Sequence, residues 1–327
     1  MTIKNLSSLG FGMAFILTVC GLFSAPVCAQ EVMLKWGFQE GSQTVTEINT
    51  RLEMSVPGVG PQVMDQTLTI RQTVENVGPN GEATLVAKTE RLVMEGVGPA
   101  GDQFYDSDTG DMPADPMILV AAAMVGKSYS MVVGPEGTVT SVHGIEELIE
   151  SLRTSFPPEV APMLDEMFSA EVLIENAQTG FQMLPVDPIR TGDTWKTSFT
   201  VPNPVLGEMT NNITFVLEQI EERDGKTVAL LSSTGEMVFD DPGGLAGLPM
   251  EVEVDMDADY TGSATFELDR GLTLSSTATN KLVMTMSGPD GESMAMPMTT
   301  VVTTELIEYL PVGKRDLFSN TNVFLLK

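Results

Sequence analysis

This sequence predicts an α+β fold: a large, curved antiparallel β-sheet with short helices packed on one face. Three observations predict it. Apolar and polar residues alternate along most of the chain, turn-forming Gly and Pro recur between the alternating runs, and one central region switches to helical spacing.

The alternation starts at Leu34, Trp36 and Phe38, continues through Val45 and Ile48, and resumes at Leu68 and Ile70. Side chains two apart share one face of a strand, so these runs read as strands with one apolar side. Turn chemistry falls between them, at Val77-Gly-Pro-Asn-Gly-Glu82, Val97-Gly-Pro-Ala-Gly-Asp102, Gly134-Pro-Glu-Gly137, Arg223-Asp-Gly225 and Ser287-Gly-Pro-Asp-Gly-Glu292. Pro sets φ early in a turn and Gly supplies positive φ, which makes these the connections of hairpins and meanders. From Gly144 to Ser155 the spacing changes: Ile145, Leu148, Ile149 and Leu152 form a helical stripe opposite Glu146, Glu147 and Glu150. Pro157-Pro158 stops that helix, and Val160, Met163, Leu164 and Met167 make a second stripe.

The expected organisation is a signal peptide over 1–29 and a single β-rich domain over 30–327. Within that domain a β half at 31–143 is joined by a helical segment at 144–180 to a β half at 185–310. The strand before Asn80-Gly81 and the strand before Asp224-Gly225 are alike in composition, as two similar β-meander halves would be.

The leader is read from Lys4, an apolar run between Leu9 and Phe23, and the small-x-small site Val27-Cys-Ala29. That run is too short for a membrane span, and no later window supplies ~20 apolar residues. The expected location is extracytoplasmic, periplasmic or secreted. Leu17-Thr-Val-Cys20 resembles a lipobox, which makes a lipid-anchored chain the alternative maturation, although Val19 stands where that signal carries a small residue. Both cysteines, Cys20 and Cys28, lie in the leader, so a chain cleaved after Ala29 has no disulfide, thiolate or Cys-ligated metal chemistry.

Charge excludes further classes. The chain carries 17 Lys and Arg against 45 Asp and Glu, and the leader removes Lys4 but no acid. Nucleic-acid phosphates and anionic lipid surfaces are repelled by such a surface. Asp108-Thr-Gly110 spells the aspartic-protease triplet, but no second copy exists to share a proton with it. Asp106-Ser-Asp-Thr-Gly-Asp111 begins like a calcium loop, yet Met117 stands where the bidentate Glu belongs and Pro113 and Pro116 interrupt the backbone. His143 has no Cys or His partner, and Ser141 beside it lacks a nucleophile-elbow context. The expectation is a protein that is not an enzyme and uses no cofactor.

Two patterns remain. Glu251, Glu253, Asp255, Asp257 and Asp259 alternate with Val252, Val254, Met256, Ala258 and Tyr260, an acidic face that protects a sheet edge or meets divalent cations. Met284 and Met286, then Met294, Met296 and Met298, flank the Gly288-Pro-Asp-Gly291 turn. Thioethers so spaced suit Cu(I), but flexible Met also lines an apolar face or an adaptable cavity, the reading preferred here.

Four segments carry a family resemblance: Leu34-Lys-Trp-Gly-Phe-Gln-Glu-Gly41, Phe104-Tyr-Asp-Ser107, Gly137-Thr-Val-Thr-Ser-Val-His-Gly144 and Leu184-Pro-Val-Asp-Pro-Ile-Arg-Thr-Gly-Asp-Thr-Trp195. On these the chain resembles the DUF6263 group of uncharacterised bacterial exported proteins. The resemblance implies no activity and no catalytic residue. In architecture alone the expected fold is similar to periplasmic lipid-carrier proteins. The function expected is a non-enzymatic envelope protein that binds a hydrophobic small molecule or lipid between sheet and helices. Leu148, Leu152, Met163, Met167, Met284, Met286 and Met296 are the expected apolar lining. The alternative is an acidic structural or adhesive surface module that binds divalent cations.

Overall fold

The structure, a computed structural model, describes residues 31–98, 101–110, 116–146, 149–150, 170–203, 207–240, 253–287 and 293–312. Twelve strands pair antiparallel in one sheet: β1 (Gln43–Val56), β2 (Gly60–Val77), β3 (Ala83–Gly98), β4 (Gly101–Asp106), β5 (Ser128–Val133), β6 (Val139–His143), β7 (Thr194–Asn203), β8 (Gly207–Arg223), β9 (Lys226–Asp240), β10 (Glu253–Glu267), β11 (Leu272–Ser287) and β12 (Ser293–Leu310). Their order is β6-β5-β3-β2-β1-β12-β11-β10-β9-β8-β7, with β4 paired to the far part of β3. The second half, β7 to β12, is an unbroken meander, and the halves join where β1 pairs with β12.

The turns are made as their residues require. Asp224 and Gly225 both adopt positive φ, +53° and +73°, in the two-residue link that closes β8 onto β9. Asn80-Gly81 closes β2 onto β3, with the Gly81 N–H donating to Gly78 O.

Among the described residues, two helices that can be followed end to end lie on one face. α1 (Pro116–Ala123) fills the excursion between β4 and β5, and packs Ile118, Ala121 and Ala122 on Leu68, Leu92, Met94 and Tyr105. Sequence reasoning missed this helix. Its residues are apolar all round, so no amphipathic period marks it, and Pro116 reads as a breaker although Pro is well suited to a helix's first turn. α2 (Ala170–Thr179) closes the central region and touches both edge strands, β6 and β7. A sheet whose two edges meet one short helix is strongly curled, and its concave face is the one that carries both helices. The helix expected from Gly144 begins with Ile149 N–H donating to Ile145 O, 2.9 Å, while the stripe from Val160 to Met167 lies outside the described residues.

One end of the curled sheet is capped by the chain itself. Val32 bridges to Ile189, and Leu34 is buried with Leu217, Leu231 and Phe266. The backbones at Gly37 and Gly271 nearly touch: a Cβ on Gly37 would stand 2.0 Å from Arg270 O, so only glycine fits there. Beside this crossing Glu267 is buried at 3% exposure. Its carboxylate takes both Nε (2.5 Å) and Nη2 of Arg270 and pairs with Lys226 Nζ at 3.5 Å, and the Arg270 guanidinium lies over the Tyr309 ring at 4.3 Å.

β10 pairs with β11 along its whole length but with β9 only from Asp259 to Glu267, so among the described residues the acidic stretch from Glu253 to Asp257 has a neighbouring strand on one side alone and its other side is an edge. Glu251 and Val252 lie outside the described residues. Asp257 and Asp259 are exposed on the convex face and alternate with half-buried Met256 and buried Ala258. The pattern arises because this sheet has water on one side only.

Burial pushes the Glu267 carboxyl up, but the bonds from Arg270 and the charge of Lys226 outweigh it and hold the group below its ordinary value. A depressed carboxylate stabilises the fold above its unfolded value and loses that contribution as pH falls through its folded one. Glu267→Gln is therefore expected to cost about 1–3 kcal/mol in urea titration at neutral pH. The gap from wild type should close below about pH 4.

Candidate functional site

Along the concave face, inward positions can be followed strand to strand through the register: Ile48 opposite Thr304, Thr304 opposite Ser276, Ser276 opposite Ala264, Ala264 opposite Leu231. The central strands put small and hydroxyl-bearing side chains there. Thr44 and Thr46 on β1, Ser276, Ala278 and Asn280 on β11 and Thr304 on β12 face inward where a solid core would need Leu, Ile or Phe. The result is a cavity of about 720 Å³ at the capped end of the sheet, within the range of small-molecule sites.

Its lid is the chain from Thr179 to Met183, which follows α2, together with Trp36 and Phe38 from the crossing segment. Two indoles hold that lid: Trp36 Nε1 donates to Phe181 O at 2.9 Å and Trp195 Nε1 to Met183 O at 3.0 Å. Trp36 also meets the rings of Phe181 and Phe266 edge-on, at 5.3 and 5.6 Å between centroids. Trp195 stacks on Phe215, 5.5 Å away. It is held by the turn expected at Gly192-Asp-Thr-Trp195: Gly192 adopts a φ of +91° and Asp193 Oδ2 accepts from the Arg190 N–H at 2.8 Å. That element is structural, and it positions the cavity lid.

The wall is apolar on the β7 to β9 side, through Phe199, Met209, Ile213, Phe215, Leu231 and Met237. Toward β1, β11 and β12 it mixes hydroxyls and amides with Ile48, Leu272, Val302 and Leu306. Among the described residues no Asp, Glu, Lys, Arg or His lines it. The ion pairs of the described residues lie elsewhere, such as Arg51 with Asp65 at 2.8 Å and Arg71 with Glu90 at 2.7 Å.

Of the expected lining residues, Leu148, Leu152, Met163 and Met167 lie outside the described residues. Met284, Met286 and Met296 are on the concave face, but further along the strands, and none of them lines this cavity. Met284 sits opposite Met296 and Met256, and Leu282 opposite Met298, which in turn faces Met54. Half-exposed methionines thus extend the same inward surface from Asn280 and Val302 toward the open end. Sequence reasoning missed Trp36, Phe181, Met209, Met237 and Tyr260 as lining, and the usable signal was the run of small inward residues on β11.

The Asp-rich loop after β4 is tied down. Asp106 accepts from Arg91 Nη2 at 2.7 Å and from the Asp108 N–H at 3.0 Å, which hold its carboxyl below the ordinary value, and Asp108 pairs with Arg91 Nε at 3.0 Å. Its carboxylates thus answer to a guanidinium. On β10, Asp259 stands between Glu236 and Lys281. Among the described residues no group of three acidic, His or Cys side chains is placed to hold a metal ion, and no helix is long and apolar enough to cross a membrane.

Fold and site together define a curled antiparallel-sheet protein with a partly open cavity whose described wall carries no charge. The chain belongs to DUF6263, a family of unknown function, whose pattern matches residues 80–273. No functionally curated protein matches it in sequence. Among solved structures, lipovitellin is similar at 13% identity and a TM-score of 0.47 over 85% of this chain, which spans 26% of the lipovitellin chain. OccK7 of Pseudomonas aeruginosa is similar at 6% identity and a TM-score of 0.24, over 84% of this chain and 100% of that one. DynF of Micromonospora chersina gives 9% and 0.19, over 85% and 86%.

Trp36→Phe keeps the ring contacts and removes the donor to Phe181 O. It is expected to lower stability by about 1–3 kcal/mol. Hydrogen exchange should quicken across the lid at 179–184 and stay unchanged in β8 and β9, as mass spectrometry of peptides would read.

Proposed function

We propose that this protein is a non-enzymatic binder of a hydrophobic or amphiphilic small molecule and that it works outside the cytoplasm. The observation that carries the first part is the cavity: about 720 Å³, partly open, between the sheet and an indole-pinned lid, with an apolar wall of Phe, Met, Leu and Ile. Burial in such a space removes apolar ligand surface from water at about 25 cal/mol per Å². The described wall is built of apolar side chains, hydroxyls and amides, which suits holding a ligand by burial and hydrogen bonds. The methionine surface beyond Asn280 supports the same reading, because flexible thioethers fit apolar chains of varied shape. The second part rests on the leader pattern from Lys4 to Ala29.

Two experiments test it. The neutral fluorophore N-phenyl-1-naphthylamine is expected to bind the purified protein saturably, and Ala278→Trp with Thr304→Trp, which fill the cavity from the sheet side, to weaken it at least about tenfold. Unaltered binding by a folded double variant would refute the cavity as the site. Intact-mass analysis of protein recovered from its own host is expected to show a chain beginning at Gln30, and a full-length chain with Met1 would remove the extracytoplasmic assignment.

A further inference from the structure

The charge pattern narrows the ligand. The chain has 17 basic and 45 acidic residues, yet among the described residues none of them lines the cavity, where the side-chain polar groups are hydroxyls, amides and the Trp36 indole N–H. Thr44, Thr46, Ser276, Asn280 and Thr304 form a polar patch on the floor, continued by Tyr260. Across from this floor, on the lid, Gln182 lines the cavity. A hydroxyl brought among such groups finds both donors and acceptors.

Resting on the binding role proposed above, we infer that the ligand is an uncharged amphiphile: an apolar chain ending in a hydroxyl-bearing head, the chemistry of a monoacylglycerol or a fatty alcohol. An isolated carboxylate, phosphate or ammonium in this cavity would shed water and meet no opposite charge, a cost far above that of a paired hydroxyl. The head's hydroxyl meets the threonine and serine hydroxyls of the floor, which both donate and accept. The apolar chain lies along Phe199, Met209, Ile213 and Met237. The acidic convex face adds repulsion against anionic ligands in the surrounding water.

The test is displacement of bound N-phenyl-1-naphthylamine from the full mature chain by decanoylglycerol, decanol, decanoate and decyltrimethylammonium, at about pH 8 where decanoate is ionised. Each midpoint is divided by the compound's own partition into uncharged dodecyl maltoside micelles, which removes the general effect of charge on solubility. Decanoylglycerol and decanol are expected to compete at least about tenfold better than either ion after that correction. Ser276→Ala with Thr304→Val should weaken decanoylglycerol about fivefold more than it weakens the fluorophore, and equal effects on the two would overturn the hydroxyl-bearing head. Equal or better competition by an ion overturns the neutral-ligand assignment while leaving the binding role intact. A fluorophore that never binds, or that no compound displaces, overturns the binding role and this inference with it.

Discussion

The indole of Trp36 joins the two layers that enclose the cavity. Its N–H holds Phe181 O and its ring packs between Phe181 on the lid and Phe266 on the sheet, so one side chain fixes how far apart they stand. It reaches that position only because Gly37 and Gly271 let two backbones approach where no Cβ fits. The buried Glu267 carboxylate, gripped by Arg270 and Lys226, anchors the strand end that this crossing leans on. Without the cap, the curled sheet would present the same inward surface as an open groove.

The second constraint is what the sheet leaves unfilled. A curled antiparallel sheet must cover its concave face, and among the described residues local cores do so around Leu85 and Val133, around Leu217 and Phe266, and around Leu92 under α1. Between them many inward residues are Thr, Ser, Ala and Asn, too short to meet across the trough. A cavity of that kind keeps its stability from its rim and its specificity from its floor. Charge follows the same division, since described acidic side chains such as Asp257, Asp259 and Glu236 face water while the cavity wall is neutral.

The sequence by itself determined the sheet, its hairpins and its one-sidedness, because a period of two and a Gly with positive φ are local properties. Asp224-Gly225 and Asn80-Gly81 turn where their dihedral preferences dictate. Gly192-Asp-Thr-Trp195 likewise makes the turn and buried strand start that its residues imply. Local periodicity is silent where a segment is apolar on every side, which is why α1 went unread. It is also silent on strand order, so the joining of the two halves through β1 and β12 was not legible in it.

The site was legible only in kind. That methionines and apolar side chains share one face follows from alternation, and Met284, Met286 and Met296 are indeed inward. Which stretch of that face becomes a covered cavity depends on contacts between residues as far apart as Trp36 and Phe181, or Gly37 and Gly271. Only the tertiary structure decided this, since enclosure needs a second layer, and the second layer is brought by the path of the chain, which no single strand encodes.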